Sequence, residues 1–151
     1  MSNNPILLVE DSPGDVELTK RALYEANVLN ELVVAINGQE ALDYLFATGN
    51  YTGRDIRNAP VIVLLDLKMP GGMPGLEVLR RIREDDRMRL LPVIVLTSSR
   101  EEEDIINSYK LGANSYVRKP MEFDKFVQAA KALGIYWVLW NEPPPIKLEE
   151  S

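Results

Sequence analysis

The sequence contains no cysteine and no histidine. Without cysteine, it cannot form disulfides, thiolate nucleophiles or cysteine-ligated zinc and iron–sulfur sites. Without histidine, it cannot build Ser-His-Asp triads, imidazole general bases or histidine-ligated metal sites. Carboxylates, lysines and hydroxyls remain as the reactive side chains. Any metal that this chain binds must therefore be a hard cation with oxygen ligands.

Long apolar runs and an excess of positive charge are also missing. No segment approaches the length that spans a bilayer, and the amino terminus has neither the basic stretch nor the apolar stretch of a signal peptide. The 151 residues carry 17 Lys plus Arg against 23 Asp plus Glu, a formal net charge of -6, which disfavours direct binding to nucleic acid. We therefore expect one cytoplasmic domain that binds neither nucleic acid nor membrane.

Short runs of β-branched and aliphatic residues alternate with longer segments of helical spacing. The runs are Ile6–Val9, Leu32–Ile36, Val61–Leu65, Val93–Leu96 and the weaker Ser115–Val117. Continuous apolar strands joined by helices are typical of a parallel sheet that is covered on both faces. Because the crossovers are right-handed, such a sheet is doubly wound, with helices packed on each face. The sequence predicts an α/β fold with a doubly wound, five-stranded parallel sheet in a single domain.

Capping and turn residues indicate where elements begin. Ser12, Asn37 and Ser99 each stand just ahead of a helical pattern, as N-cap residues do. The segment 48–60 is rich in Gly, Asn, Asp and Pro and has little periodicity, so we expect a mobile surface loop.

Polar residues follow the carboxyl ends of four predicted strands. They are Glu10 and Asp11 after the first run, Asp66 after the third, Thr97, Ser98 and Ser99 after the fourth, and Arg118 and Lys119 after the fifth. Ligands of open parallel sheets collect at this edge, so these side chains are expected to surround one site. Clustered carboxylates repel one another unless a divalent cation compensates, and with oxygen ligands alone the natural choice is Mg²⁺ or a similar ion.

The same residues suit phosphate chemistry. Mg²⁺ commonly shares its coordination shell with a phosphoryl oxygen, Lys119 can neutralise phosphate charge, and Thr97 can donate a hydrogen bond. An Asp carboxylate can itself accept a phosphoryl group and form an acyl phosphate. Asp66 lies centrally among the strands and is the candidate nucleophile.

These separated motifs resemble those of the receiver domains of two-component response regulators, from about Pro5 to the end of the last helix. The resemblance implies a flavodoxin-like receiver topology, phosphorylation by a partner sensor histidine kinase, and slow autodephosphorylation. The implied roles are Asp66, Thr97 and Lys119 for the chemistry; Glu10, Asp11, Asp66 and the Lys68 carbonyl for Mg²⁺; the backbone of Lys68 and Ser98 for the phosphoryl group; and Thr97 and Tyr116 for the conformational switch. It also implies a cis Lys119–Pro120 bond.

Within that family, the sequence is most similar to the stand-alone regulators of phytochrome histidine kinases. The long segment 48–60 and the tryptophans of the last helix carry this likeness, which implies a phytochrome as the kinase partner. One departure is that the span from Met69 to Gly75 is one residue longer than usual, which alters the shape of this loop. The side chain of Lys68 occupies a position that tends to tune dephosphorylation in the family.

The last helix carries a second functional signal, because its end is apolar on all sides. The residues outside its core-facing stripe are Ile135, Tyr136, Leu139 and Trp140. Exposed apolar surface of this kind marks an interaction face, and a two-fold homodimer is its commonest use. The alternative is that Gly134 ends the helix. We assign 5–140 to the receiver domain with an extended last helix and 141–151 to a tail, stiffened by three prolines and then frayed.

Simpler explanations exist for each residue taken singly. Glu10, Asp11 and Asp66 could be solvated strand ends or caps, and Tyr116 could equally be an aromatic that packs on an edge strand. A flavin carrier on this topology would need a phosphate loop where the acidic pair stands, and a phosphatase would want a second Asp where Lys68 stands. A scaffold that works without phosphorylation remains the other alternative.

Overall fold

The computed structural model of the chain describes residues 4–120 and 122–146. The strands are β1 (Ile6–Val9), β2 (Leu32–Ala35), β3 (Ile62–Leu65), β4 (Val93–Thr97) and β5 (Ser115–Arg118). The helices are α1 (Pro13–Glu25), α2 (Gly38–Phe46), α3 (Gly75–Glu84), α4 (Glu102–Lys110) and α5 (Phe123–Leu133). The predicted alternation of strands and helices is confirmed, and each strand boundary lies within one residue of its expected place.

The five strands form one parallel sheet in the order β2-β1-β3-β4-β5. The strand order therefore reverses between β1 and β3, and ligands of open α/β sheets bind at the carboxyl ends of the strands beside such a reversal. Val9 at the end of β1 pairs with Leu65 at the end of β3. The residues that follow these two strands consequently start from the same level of the sheet.

The core has two layers because side chains alternate along each buried strand. Leu7 and Val63 face one layer, where α2 and α3 pack, whereas Leu8 and Ile62 face the other, where α1 and α5 pack. Both faces of the central strands are covered, as their continuous apolar runs predict. This packing fixes the edge of the sheet from which the polar residues emerge.

Local capping agrees with the sequence at two of the three predicted helix starts. The hydroxyl of Ser12 and the amide oxygen of Asn37 each accept a hydrogen bond from the backbone N–H three residues on, at 3.3 and 2.8 Å. Ser99 does not cap α4, whose N-cap position is Glu101. The Ser99 hydroxyl instead donates to Asp104 Oδ2 at 2.6 Å, and this bond replaces the expected cap.

The segment 48–60 follows an irregular path that one arginine fastens to α2. The Arg54 guanidinium donates to the carbonyls of Tyr44 at 2.7 Å and of Asn58 at 2.9 Å, and it lies 4.1 Å from the centre of the Tyr44 ring. Tyr51 and Ile56 pack against the core. The predicted surface loop is thus held at several points, and its mobility stays an expectation.

The helical path does not end at Gly134, although the sequence left that alternative open. Gly134 has helical backbone angles, φ -63 and ψ -46, and the chain continues as a π-helical segment over Gly134–Trp140. A Cβ atom on Gly134 would lie 2.3 Å from Val28 Cγ2, so the glycine allows the turn after α1 to approach closely. Ile146 then packs against the core. Residues 147–151, where a frayed end is predicted, lie outside the described residues.

No helix in the described ranges is both long enough and apolar enough to cross a bilayer.

Candidate functional site

Two carboxylates emerge side by side at the carboxyl edge of the sheet. Glu10 follows β1 and is 2% exposed, and Asp66 follows β3 and is 7% exposed. The Asp66 backbone N–H donates to the carbonyl of Val9 at 3.0 Å, which continues the pairing of the two strands into the site. Buried carboxylates need compensating donors or cations.

Lys119, which follows the edge strand β5, supplies the compensating positive charge. Its ammonium donates to Asp66 Oδ2 at 3.0 Å, to Asp15 Oδ2 at 2.9 Å and to Glu10 Oε1, and its side chain is 9% exposed. Its backbone N–H donates to the carbonyl of Thr97 at 2.8 Å, which fixes the start of the side chain at the edge of β4. One ammonium therefore serves three carboxylates.

The charge states of this cluster follow from burial and hydrogen bonding. Burial, aided by the nearby Asp66, raises the pKa of Glu10 to about 7. Burial would also raise the pKa of Asp66, but hydrogen bonds from the Lys68 amide and the Lys119 ammonium outweigh it and lower this pKa. For Lys119, burial is outweighed by its three carboxylate partners, so its pKa is raised. Asp66 is an anion and Lys119 a cation at neutral pH.

The carboxylates are close enough to share a metal ion. Among the described residues, Glu10, Asp15 and Asp66 each offer an oxygen, and these oxygens all lie within 4.8 Å of one another. A set of hard oxygen donors fits Mg²⁺. The structure thus brings together two of the predicted ligands, Glu10 and Asp66, with a third carboxylate that the sequence reasoning missed.

Asp15 had a detectable signal in the sequence. It lies in the first turn of α1, three residues after the capping residue Ser12. A helix that directly follows a strand begins at the carboxyl edge of the sheet, so its first turn lies near the same site. The predicted ligand Asp11 instead lines a neighbouring groove of 420 Å³ together with Asn37 and Met69. Its place in the metal shell stays a prediction.

Lys68 contributes backbone to the site, while its side chain lies at the exposed rim. Its N–H donates to Asp66 Oδ1 at 3.0 Å, so the two oxygens of Asp66 are held by different partners. The Lys68 ammonium lies 3.8 Å from Glu101 Oε1, in an exposed pair. The role of the Lys68 carbonyl as a metal ligand stays a prediction.

The predicted switch residues are connected through Ser99. Thr97 is fully buried, and its Oγ1 accepts a hydrogen bond from the Ser99 N–H at 3.4 Å. The Tyr116 hydroxyl donates to the Ser99 carbonyl at 3.0 Å. Ser98, between them in sequence, is exposed, and the part of its backbone in phosphoryl binding stays a prediction. From the sequence alone, Ser99 is predicted only to lie near the site and to cap a helix.

The prediction of a cis Lys119–Pro120 bond is wrong. The described residues contain no cis peptide bond. Lys119 reaches Asp66 with a trans bond, because the hydrogen bond to the Thr97 carbonyl already places the Lys119 backbone beside β4.

The longer loop between β3 and α3 leaves the acidic cluster intact. A Cβ atom on Gly75 would lie 2.4 Å from the Asp66 carbonyl oxygen, so α3 begins tightly against the site. Gly71 and Gly72 have open space where a Cβ atom would be, and Gly71 has a φ of +85 that favours glycine. These two positions of the loop are therefore not packed against the rest of the domain.

Comparisons with known proteins agree with this geometry. Residues 6–131 match the family model described as the response regulator receiver domain. The chain is 36% identical over 139 residues to a probable methanogenesis regulatory protein, FilR2, of Methanothrix harundinacea, covering 92% of this chain and 86% of that protein. It is 34% identical over 139 residues to the response regulator Rcp1 of Synechocystis sp., covering 91% of this chain and 92% of that protein.

Solved structures show the same likeness. The phosphorylated cyanobacterial phytochrome response regulator RcpA has a TM-score of 0.86 and 34% identity, over 95% of this chain and 99% of that chain. The Mn²⁺-bound form of Rcp1 has a TM-score of 0.83 and 32% identity, over 93% and 99%. The bacteriophytochrome response regulator AtBRR has a TM-score of 0.74 and 51% identity, over 94% and 100%.

Proposed function

Because the chain belongs to the family of response regulator receiver domains, we propose that Asp66 accepts a phosphoryl group from a partner sensor histidine kinase. The chain is a signalling protein of this family, and the form phosphorylated on Asp66 is its proposed signalling state. The observation that supports the proposal is the setting of Asp66: buried, anionic, and held by the Lys68 amide and the Lys119 ammonium on separate oxygens. A scaffold that works without phosphorylation would show no Mg²⁺-dependent response to a small phosphodonor.

The transfer needs an oriented nucleophile and a site for the incoming negative charge. An oxygen of Asp66 forms the new P–O bond while the P–N bond of the kinase phosphohistidine breaks, and the electron pair of that bond leaves with the imidazole nitrogen. Lys119 offsets the negative charge that the phosphoryl group brings. The Thr97 hydroxyl and the Ser98 amide donate to the phosphoryl oxygens in this proposal. The loss of the same group to water is slow autodephosphorylation.

The acidic cluster is the proposed Mg²⁺ site. Glu10 and Asp66 would hold the ion with Asp11 and the Lys68 carbonyl, and Asp15 is close enough to join them. When bound, Mg²⁺ would neutralise part of the negative charge of the phosphoryl group. The hard oxygen donors of the cluster support this assignment, as does the Mn²⁺-bound form of the relative Rcp1.

The conformational switch follows from the same contacts. Phosphorylation biases an equilibrium only through contacts that differ between the two states. The Thr97 hydroxyl and Lys119 gain a phosphoryl partner in one state alone, and Tyr116 is linked to Thr97 through Ser99. These residues are the proposed switch.

Asp66→Asn tests the function directly. This variant keeps the shape of the side chain and lacks the nucleophilic carboxylate, so we expect no acyl-phosphate labelling from a phosphorylated histidine kinase. Asp86→Asn, in the exposed turn after α3, is the matched control and is expected to label like the parent protein. Persistent labelling of the Asp66 variant would refute the proposal.

The proposed kinase is a phytochrome. RcpA and AtBRR, which are phytochrome and bacteriophytochrome response regulators, support this pairing. The output is proposed to act through protein contacts in the cytoplasm, with neither nucleic acid nor membrane as a partner. Phosphotransfer profiling against the histidine kinases of the source genome is expected to show fastest transfer from a phytochrome kinase, and preference for an unrelated kinase would reject the pairing.

The end of the last helix is the proposed homodimer surface. The four predicted dimer residues are all exposed: Ile135, Tyr136, Leu139 and Trp140. Ile135 and Leu139 also line an apolar groove of 390 Å³ beside the turn after α1. A two-fold interface must carry a protrusion and its complementary hollow on one surface. In the proposed dimer, Trp140, which is 77% exposed, is the protrusion, and the groove lined by Ile135 and Leu139 is the hollow.

A further inference from the structure

Ser99 lies at the junction of three elements and is 5% exposed. Toward β4, its N–H donates to Thr97 Oγ1 at 3.4 Å, and toward β5 its carbonyl accepts from the Tyr116 hydroxyl at 3.0 Å. Toward α4, its hydroxyl donates to Asp104 Oδ2 at 2.6 Å and accepts from the Glu101 N–H at 3.3 Å. A buried serine with these four bonds is more than a turn residue.

The bond to Asp104 matters because α4 has few other attachments. Within α4, all of which the structure describes, Ser108 alone is fully buried. Glu101, at the N-cap of this described helix, makes no side-chain hydrogen bond to the first turn. Asp104 lies in that first turn. A short charge-assisted hydrogen bond is therefore a principal tether of the amino-terminal end of α4.

We propose that Ser99 is a positioning residue that couples the state of Thr97 to the first turn of α4 through Asp104. This inference rests on the proposed phosphorylation of Asp66. When the Thr97 hydroxyl donates to the phosphoryl group, Thr97 Oγ1 turns toward the site and its long bond from the Ser99 N–H changes. The displacement reaches α4 because the Ser99 hydroxyl is bonded to Asp104. The two positions of α4 then differ in stability according to phosphorylation.

The test compares variants that break the same contact from either side. Ser99→Ala removes the donor and Asp104→Ala removes the acceptor, while Glu103→Ala removes an exposed acidic residue from the same turn as a control. Each protein is treated with acetyl phosphate and Mg²⁺. Phosphoryl uptake is measured by intact mass, and the opening of α4 is measured by hydrogen exchange over Glu102–Lys110.

In the parent protein and the Glu103 control we expect uptake together with a change in exchange across α4. In the Ser99 and Asp104 variants we expect uptake without most of that change, a reduction on the order of tenfold, as befits one charge-assisted hydrogen bond. The double variant should be no worse than either single variant, because both lack the same bond. Ser99→Thr keeps the hydroxyl and should restore the response.

A parent-like response of α4 in both single variants would overturn the inference. A response that is lost in Ser99→Ala and also in Glu103→Ala would overturn it too, because the effect would then follow from general loosening of the helix. Failure of the parent protein to take up phosphate is seen separately by mass. That result would reject the proposed function and this inference with it.

Discussion

The ammonium of Lys119 is shared among three carboxylates, and this sharing defines the chemistry of the site at the scale of single residues. Glu10 and Asp66 are buried, whereas Asp15 is partly exposed on the first turn of α1. The two buried partners have opposite pKa shifts, with Glu10 raised to about 7 and Asp66 lowered. The carboxylate with the lowered pKa, Asp66, also accepts the hydrogen bond from the Lys68 amide, and an anionic Asp66 is what its proposed role as a nucleophile requires.

Asp15→Asn tests whether the third carboxylate belongs to the cation site. The variant removes one negative charge from the group of oxygens that could hold Mg²⁺, so we expect the Kd for Mg²⁺ to rise about tenfold, as for the loss of a partly screened charge a few ångströms away. Titration calorimetry measures the Kd directly. Glu17→Gln removes an exposed charge from the same helix and should leave the Kd unchanged. Equal Kd values for the two variants would exclude Asp15 from the site.

The start of α3 shows how whole elements are fitted around the site. A Cβ atom on Gly75 would lie 2.4 Å from the Asp66 carbonyl oxygen and 2.7 Å from Leu67 Cα, and both are backbone atoms that cannot turn aside. The glycine therefore allows α3 to begin directly against the two residues that follow β3. Gly72, only three residues earlier, has nothing within 4 Å of such an atom.

Gly75→Ala is expected to lower the free energy of unfolding by about 1–3 kcal/mol, the usual cost of forcing extra volume into a packed site. Gly72→Ala is the matched control and is expected to change the free energy by less than about 0.5 kcal/mol. Urea denaturation followed by tryptophan fluorescence measures both values. Two variants of equal stability would show that α3 can move away from Asp66 without cost.

At the scale of the whole molecule, the acidic cluster and the proposed dimer surface lie on different parts of the domain. The carboxyl edge of the sheet holds the acidic cluster, while the end of the last helix carries exposed aromatic residues and lines a groove together with the turn after α1. Val138 and Gly134 are buried, so the helix is held against the domain through the segment that carries the exposed residues. The proposed dimer surface is thus presented by a fixed element.

Leu139→Glu tests the proposed dimer. A charge placed on an apolar surface that becomes buried cannot keep its hydration, so we expect the dissociation constant of the dimer to rise about 30-fold, or about 2 kcal/mol. Gln128→Glu, an exposed position on α5, adds the same charge elsewhere and serves as the control. Light scattering over a concentration series, with and without acetyl phosphate, gives the dissociation constants. A parent protein that stays monomeric at all concentrations would contradict the proposal.

The sequence by itself determined the fold and the edge of the sheet on which the polar residues lie. Apolar runs of strand length alternate with helical spacing, and a parallel sheet sends every strand toward the same edge, so Glu10, Asp66 and Lys119 had to emerge together. The absence of cysteine and histidine likewise limited any metal ligands at the site to oxygen donors. These conclusions depend only on order and periodicity along the chain.

Only the tertiary structure decided which side chains touch. It placed Asp15 in the carboxylate cluster, set Asp11 beside a neighbouring groove, gave Lys119–Pro120 a trans bond, and made Ser99 the contact between β4 and α4. Such choices depend on how each helix packs on the sheet and on which rotamer each side chain adopts within that packing, over sequence separations as long as the one between Asp15 and Lys119. The spacing of residues along the chain determines at which edge of the sheet a residue lies. It does not determine the side-chain rotamer that places the terminal polar atoms.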